Sequence, residues 1–165
     1  MFSTTPRRAA ALLLFTGLAA CASSKKDDPA ATPAPGMSWT ADGTAHTTTT
    51  LQSQKMQSSV SVAGTVPGGN NPLYLSLEFP NAVGTYAFGP AAAASATYVA
   101  NTGPGGSRVV YYAGASGSGT VTGAGTVVVT ALTATNVQGT FAFTGINANT
   151  GASKSITGGT FSVGL

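Results

Sequence analysis

The sequence has very few of the side chains that perform chemistry in enzymes. Its 165 residues include one cysteine, one histidine and only four acidic residues. A Ser-His-acid triad would have to combine His46 with Asp42 or Glu78, and none of these lies beside a nucleophile motif. One imidazole and scattered carboxylates also fall short of a metal ligand set. We therefore expect no enzyme, no metal and no cofactor, and we expect His46 to be a solvated strand or loop residue.

Charge of either sign is scarce, which limits the class of partner. Arg7 and Arg8 precede an apolar segment that we expect to be removed, and the rest of the chain then carries five basic against four acidic side chains. Without a basic patch, binding to nucleic acid by phosphate neutralisation has no support.

Helical periodicity is also missing. One segment, residues 90–96, places a proline before a run of alanines and favours either a short helical turn or a loop or edge segment.

The first twenty residues are organised like an export signal. Arg7 and Arg8 are followed by the apolar segment 9–20, which is too short for a membrane-spanning helix of ~20 residues. The tetrad Leu18-Ala19-Ala20-Cys21 resembles the lipobox of bacterial lipoproteins. That resemblance implies that residues 1–20 are cleaved and that Cys21 is lipidated and anchors the chain in a membrane. The alternative is an ordinary secretory peptide with a chance cysteine, which would leave a free thiol without a disulfide partner.

Residues 21–36 are expected to form the lipidated cysteine and a disordered tether, because they lack aromatic residues and apolar periodicity. The residue after the cysteine is Ala22, not an aspartate of the kind that retains enterobacterial lipoproteins in the inner membrane. Its identity therefore favours delivery to the outer membrane. Lys26, Asp27 and Asp28 resemble the export signal of surface lipoproteins of the Bacteroidota, although they lie five residues past Cys21 rather than directly behind it. We therefore expect the domain to be exposed at the cell surface. The alternative is that this charged run only keeps the tether soluble and that the domain faces the periplasm.

Residues 37–165 show the alternation of half-buried strands. In "LYLSLEF", from Leu73 to Phe79, every second residue is large and apolar, and "VSVAGTV" is similar. "RVVYYA" and "TVVVTAL" are richer in β-branched residues and are expected to be covered on both faces. Turn-forming clusters at 67–72, 101–106, 114–119 and 147–151 separate such runs. The pattern predicts one all-β domain, an antiparallel β-sandwich or flattened β-barrel of about eight to ten short strands.

A Gly-Thr-aromatic triplet occurs at Gly84, Gly139 and Gly159. We expect a structural role: glycine permits a bulge or an unusual φ at strand entry, and the aromatic ring enters the core.

Aromatic residues are the one indication of a binding surface. Trp39 opens the domain, Tyr74 alternates with the apolar row of its strand, and either Tyr111 or Tyr112 must face away from the core. Exposed rings on a β-face can stack on sugars or anchor a protein. Trp39, Tyr74 and Tyr112 are therefore ligand-binding candidates. The alternative is that Trp39 plugs the end of the core and that the tyrosines cover a second face.

Several motifs together suggest a family. "MSWTADGTAHT", "GTYAFG", Tyr98, "NVQGTFAFTG" and "SITGGTFSV" occur in an order that resembles small uncharacterised β-rich lipoproteins of the Bacteroidota. The resemblance implies an antiparallel β-domain outside the cytoplasm and implies no activity. Our expectation is an outer-membrane lipoprotein with a non-catalytic module that binds a glycan, a peptide or an envelope protein. The alternatives are a structural envelope lipoprotein without a specific ligand and, more distantly, a hydrolase.

Overall fold

The computed structural model describes residues 33–68, 72–101, 108–114 and 123–165. Contacts divide the chain into two units, Met1–Thr32 and Pro33–Leu165, and every described residue belongs to the second. The predicted signal peptide, Cys21, and the Lys26-Asp27-Asp28 run lie outside the described residues. The part of the chain that is described contains no helix with the length and apolar character needed to cross a membrane.

The described residues form eleven β-strands and no helix. The strands are β1 Gly36–Ala41, β2 Thr44–Thr48, β3 Leu51–Lys55, β4 Ser59–Val66, β5 Leu73–Pro80, β6 Gly84–Phe88, β7 Ser95–Asn101, β8 Arg108–Ala113, β9 Ala124–Leu132, β10 Asn136–Ile146 and β11 Ser153–Gly164. The all-β prediction is confirmed, with one more strand than the upper end of the expected number.

The strands form one antiparallel sheet with two arms. The six-stranded arm has the order β2-β1-β11-β10-β9-β6, and the five-stranded arm has the order β8-β7-β5-β4-β3. The arms meet where Ile146 of β10 pairs with Tyr112 of β8. On the other side, Ser53 of β3 donates a hydrogen bond to the Gly164 carbonyl at 2.5 Å, and Lys55 donates to the Thr133 carbonyl at 3.2 Å. The sheet therefore bends into a nearly closed, flattened barrel.

The core lies between the two arms, as the alternation predicts. On β5, Leu75, Leu77 and Phe79 are buried, whereas Glu78 is exposed. The rings of Phe79 and Phe161 come from opposite arms and have centroids 5.6 Å apart. Burial of such side chains contributes ~1.5–3 kcal/mol each, so the interior face of both arms stabilises the fold.

The Gly-Thr-aromatic triplets of β10 and β11 lie at bulges, as expected, and also serve a packing purpose. The register of β10 shifts against β9 between Gln138 and Gly139, and against β11 between Phe141 and Phe143, opposite Gly159. Gly139 pairs with Phe161, and Phe141 pairs with Gly159. A Cβ at Gly139 would lie 2.6 Å from the Phe161 ring, and one at Gly159 would lie 2.5 Å from the Phe141 ring. Neither glycine has a positive φ. Each glycine thus leaves room for the phenylalanine of the facing strand.

One local expectation differs from the structure, and for a second segment the structure agrees with the loop or edge alternative. β9 is not covered on both faces: Val127 and Val129 are buried, whereas Thr126 and Thr130 are exposed, because only its inner side meets the other arm. The segment 90–96 forms no helix. It makes a turn, in which Ala92 N–H donates to the Gly89 carbonyl at 3.1 Å, and then joins β7. The predicted turn at 147–151 is present, and the other three turn clusters extend into residues outside the described part.

Candidate functional site

The three aromatic candidates occupy different environments. Trp39 is 2% exposed and belongs to the core, because its position on β1 points between the arms. Its ring is therefore not presented to a ligand at the surface. Tyr74 and Tyr112 are half-buried, and both lie on the outer face of the five-stranded arm. The structure brings these two tyrosines onto one surface and separates Trp39 from them.

Tyr74 borders a groove of about 550 Å³ on this outer face. The groove is formed by β3, β4 and β5, and its lining consists of Gln52, Ser53, Gln54, Ser61, Ala63 and Tyr74. The pairing of Gln52 with Ala63 and of Gln54 with Ser61 places both amides on the outer side of β3. The methyl group of Ala63 is too short to fill the space between Gln52 and the tyrosine. The result is an open, uncharged groove with one aromatic wall, which we call the Tyr74 groove.

The outer face continues from this groove towards Tyr112 over short side chains. Ser76 pairs with Ala63, Thr97 pairs with Ser76, and Tyr112 pairs with Thr97. Beside this row, Tyr74 pairs with Val99, which is 3% exposed. The phenol hydroxyls of Tyr74 and Tyr112 make no hydrogen bond to a described residue. The two rings thus flank a strip of small and hydroxyl-bearing residues.

A second, larger groove of about 670 Å³ lies against the six-stranded arm. Its wall combines hydroxyl groups of the outer face with the segment that leads into β1, and Ser162 Oγ donates to the Pro33 carbonyl at 3.1 Å. Ser38 and Thr160 already hydrogen-bond each other at 2.8 Å, and Thr130 donates to the Gln138 carbonyl at 3.3 Å. Phe161 lines this groove but is 3% exposed, so no exposed ring of the described residues forms a platform there, and several of its hydroxyl donors are used internally. We therefore regard the smaller Tyr74 groove as the better site.

The ionisable groups at the β1–β2 turn form a structural cluster. Lys154 Nζ donates to Asp42 Oδ2 at 2.7 Å and lies 5.6 Å from the centroid of the Tyr111 ring. The hydrogen bond from Lys154 and that from the Ser155 N–H lower the pKa of Asp42, and the same carboxylate raises the pKa of Lys154. Burial raises the pKa of Tyr98, whose ring centroid is 6.3 Å from that of Tyr111. Lys154 and the Ser155 N–H thus satisfy the Asp42 carboxylate, and the two tyrosine rings pack beside this ion pair.

Trp39 Nε1 is buried and has no hydrogen-bond partner within the described part of the chain. A buried donor left without a partner costs ~1–3 kcal/mol of desolvation, which the burial of a core of this size offsets.

The histidine and the two described carboxylates each contact different partners. His46 is half-buried on β2 with its ring centroid 5.6 Å from that of Trp39, and burial lowers its pKa. It is therefore less solvated than expected from the sequence. Asp42 is bound by Lys154, and Glu78 accepts a hydrogen bond from Ser59 at 3.2 Å. Among the described residues no three His, Cys, Asp or Glu side chains come close enough to hold a metal ion.

Gln52 and Gln54 are the site residues that sequence reasoning missed. The segment "LQSQK" alternates two amides with other residues, and this pattern is compatible with a strand that has one polar face. Their partnership with Tyr74 depends on the pairing of β3 with β4 and of β4 with β5. The alternation of the two glutamines can therefore be recognised in the sequence, but their position next to Tyr74 cannot.

Comparison with known proteins gives one family match. A family model described as a domain of unknown function (DUF6252) matches residues 34–163, which covers the described domain almost completely. No curated protein and no solved structure matches the chain significantly.

Proposed function

The chain belongs to the DUF6252 family of domains of unknown function, and we propose that it is a non-catalytic binding domain at the bacterial cell envelope. Because the family description names no function, the proposal is argued from the surface of this domain. The observation that carries the proposal is the Tyr74 groove. The groove combines the Tyr74 ring with two glutamine amides and serine hydroxyls. The Tyr74 hydroxyl makes no hydrogen bond to a described residue, and no charged side chain among these residues lines the groove. Such a lining offers apolar contact and hydrogen bonds to an uncharged polar ligand.

The proposed attachment to the membrane rests on the sequence. The lipobox resemblance at Leu18–Cys21 supports a lipid anchor of the kind found in small lipoproteins of the Bacteroidota, and Ala22 supports delivery to the outer membrane. Two acyl chains already anchor a protein stably, because each buried methylene contributes ~0.8 kcal/mol. The run Lys26-Asp27-Asp28 supports exposure at the cell surface, with a periplasm-facing domain as the alternative.

A structural envelope lipoprotein is the second candidate, and the outer face of the six-stranded arm favours it. A single cross-strand row on that face runs through Thr47, Ser38, Thr160, Thr140, Val128 and Thr85. This hydroxyl-rich row has no aromatic platform and no charge. A surface of this kind suits solvation of an exported domain better than ligand recognition.

The proposal is tested by capture from the envelope. Full-length protein carrying Tyr74→Ala is compared with wild type as bait for components of a detergent-solubilised envelope preparation. A matched control, Thr140→Ala, changes an exposed residue of the other arm. We expect the captured component to be lost, by about tenfold or more, with Tyr74→Ala and retained with Thr140→Ala, since truncating a central aromatic anchor costs ~2 kcal/mol. Equal capture by all three proteins, or none, would contradict a ligand surface at this groove and favour the structural role.

A further inference from the structure

The separation of the two outer tyrosines defines the length of a ligand. Tyr74 on β5 pairs with Val99 on β7, which pairs with Val110 on β8, and Tyr112 lies two residues further along β8. Two interstrand spacings of ~4.8 Å and two residues of ~3.3 Å rise place the two Cα atoms about 12 Å apart. A single hexose ring does not span this distance, whereas a short oligosaccharide does.

The surface between the rings is formed by short side chains, two of them hydroxyl-bearing and two of them the valines Val99 and Val110. Ser76 and Thr97 lie in the row that leads from Ala63 to Tyr112, and both are half-buried with short side chains. A ligand that contacts both tyrosines can therefore lie close to the sheet. Hydroxyls along this strip both donate and accept hydrogen bonds, as sugar hydroxyls do.

Charge restricts the ligand further. Among the residues that the structure describes, no acidic or basic side chain lines the Tyr74 groove. Glu78, on the same face, is hydrogen-bonded by Ser59, and Arg108 lies at the start of β8, outside the groove lining. An anionic or cationic polymer would find no counter-charge in the groove, so its desolvation would go uncompensated. A neutral ligand meets amides, hydroxyls and aromatic rings.

From these observations we infer that the five-stranded arm binds a neutral oligosaccharide chain that extends from β3 across β4, β5 and β7 to β8. Its apolar sugar faces stack on Tyr74 and Tyr112, and the amides of Gln52 and Gln54 hydrogen-bond the hydroxyls of the unit at the β3 end. This inference rests on the proposed binding function and names the ligand class for the same surface. Binding is non-covalent, so no bond in the glycan is broken.

The test is a titration of the full-length protein in detergent with neutral gluco-, manno- and galacto-oligosaccharides, from the monosaccharide to the hexasaccharide. Affinity is expected to rise by about tenfold once the chain is long enough to reach both rings, an increment of ~1.4 kcal/mol. Tyr112→Ala is expected to remove this gain and leave the affinity for short ligands unchanged. Tyr74→Ala is expected to weaken short and long ligands alike, and Tyr112→Phe, which keeps the ring, is expected to retain the gain.

Two further results separate this inference from the proposed function. Arg108→Gln is expected to have no effect, and a loss of binding in that variant would show that the ligand is anionic. If no neutral oligosaccharide binds while capture from the envelope still depends on Tyr74, the ligand class is wrong and the binding surface stands. If neither the titration nor the capture depends on Tyr74, both proposals fail. Melting temperatures of the variants close to that of wild type establish that lost binding is not lost folding.

Discussion

At the scale of single residues, Asp42 links local backbone geometry to a tertiary contact. It has a φ of 44° and is followed by Gly43 with a φ of 85°, so the two residues form the tight turn that joins β1 to β2. Two positive φ values in a two-residue hairpin fit the strand twist, and Asp-Gly is a favoured pair for them. The turn directs the Asp42 carboxylate to Lys154 and to the Ser155 N–H, 2.9 Å away.

The lowered pKa of Asp42 predicts a pH-dependent contribution to stability. A carboxylate whose folded-state pKa lies below 3.8 stabilises the fold above that pH, and the contribution is lost as the pH falls through the folded-state pKa. Asp42→Asn, which tolerates the positive φ, is expected to lower the free energy of unfolding near neutral pH by less than about 1 kcal/mol, since the pair is partly exposed.

The measurement is chemical denaturation of wild type, Asp42→Asn and the control Glu78→Gln across acidic pH. The difference between wild type and Asp42→Asn is expected to vanish in strong acid, where both side chains are uncharged. A difference that stays constant over the whole range would show that the ion pair does not contribute and that only the turn is affected.

At the scale of elements, β10 and β11 pack together because a glycine of each strand lies opposite a phenylalanine of the other. Gly159→Ala is expected to cost ~1–3 kcal/mol, because the new methyl group overlaps the Phe141 ring and forces it from its position. Gly139→Ala is expected to cost more, since its methyl group would also meet the Val128 backbone carbonyl, which cannot rotate away. Thermal and denaturant unfolding give both values.

Gly36→Ala is the matched control for these two variants. A Cβ at Gly36 would be 3.7 Å from the Thr48 carbonyl, an ordinary contact, so a change of a few tenths of a kcal/mol is expected. Combining Gly159→Ala with Phe141→Leu is expected to recover part of the lost stability by making room for the methyl group. Equal stability of the three single variants would show that the space left by Gly139 and Gly159 for the facing rings does not stabilise this strand pair.

At the scale of the whole molecule, the proposed lipid anchor lies outside the domain, so we expect the domain to fold without it. The matched family region begins at residue 34, and the described barrel begins at Pro33. Cys21→Ser is therefore expected to release the domain into the soluble fraction and to abolish labelling by a fatty-acid analogue, without changing the melting temperature. Cell fractionation with wild type as the control measures this release. A Cys21→Ser protein that still sediments with membranes would contradict the lipid anchor.

Protease treatment of intact cells determines which side of the outer membrane the domain faces. Protease added to intact cells is expected to cleave wild-type protein and to spare an Asp27→Ala/Asp28→Ala variant. Protection of wild type until the cells are lysed would place the domain in the periplasm.

Most of the fold was readable from the sequence because strand alternation is a local property. Leu75, Leu77 and Phe79 were predicted on one face of a strand and are buried there, and the absence of helical periodicity matches the all-β structure. The packing role of Gly139 and Gly159 could not be predicted, since it depends on the register between β10 and β11. A register is a non-local property, and each strand alone is compatible with several.

The sequence by itself determined the class of fold, the inward-facing rows, the poverty in catalytic groups and the identity of the aromatic candidates. The tertiary structure decided which of those aromatics are available. Trp39 alternates with polar neighbours and points between the arms, whereas Tyr74 alternates with leucines and points outward into the groove that Gln52 and Gln54 also line. The physical reason is that parity fixes only which residues of a strand share a side. Which side faces the core, and which strand lies next to it, depends on the pairing and closure of the whole sheet.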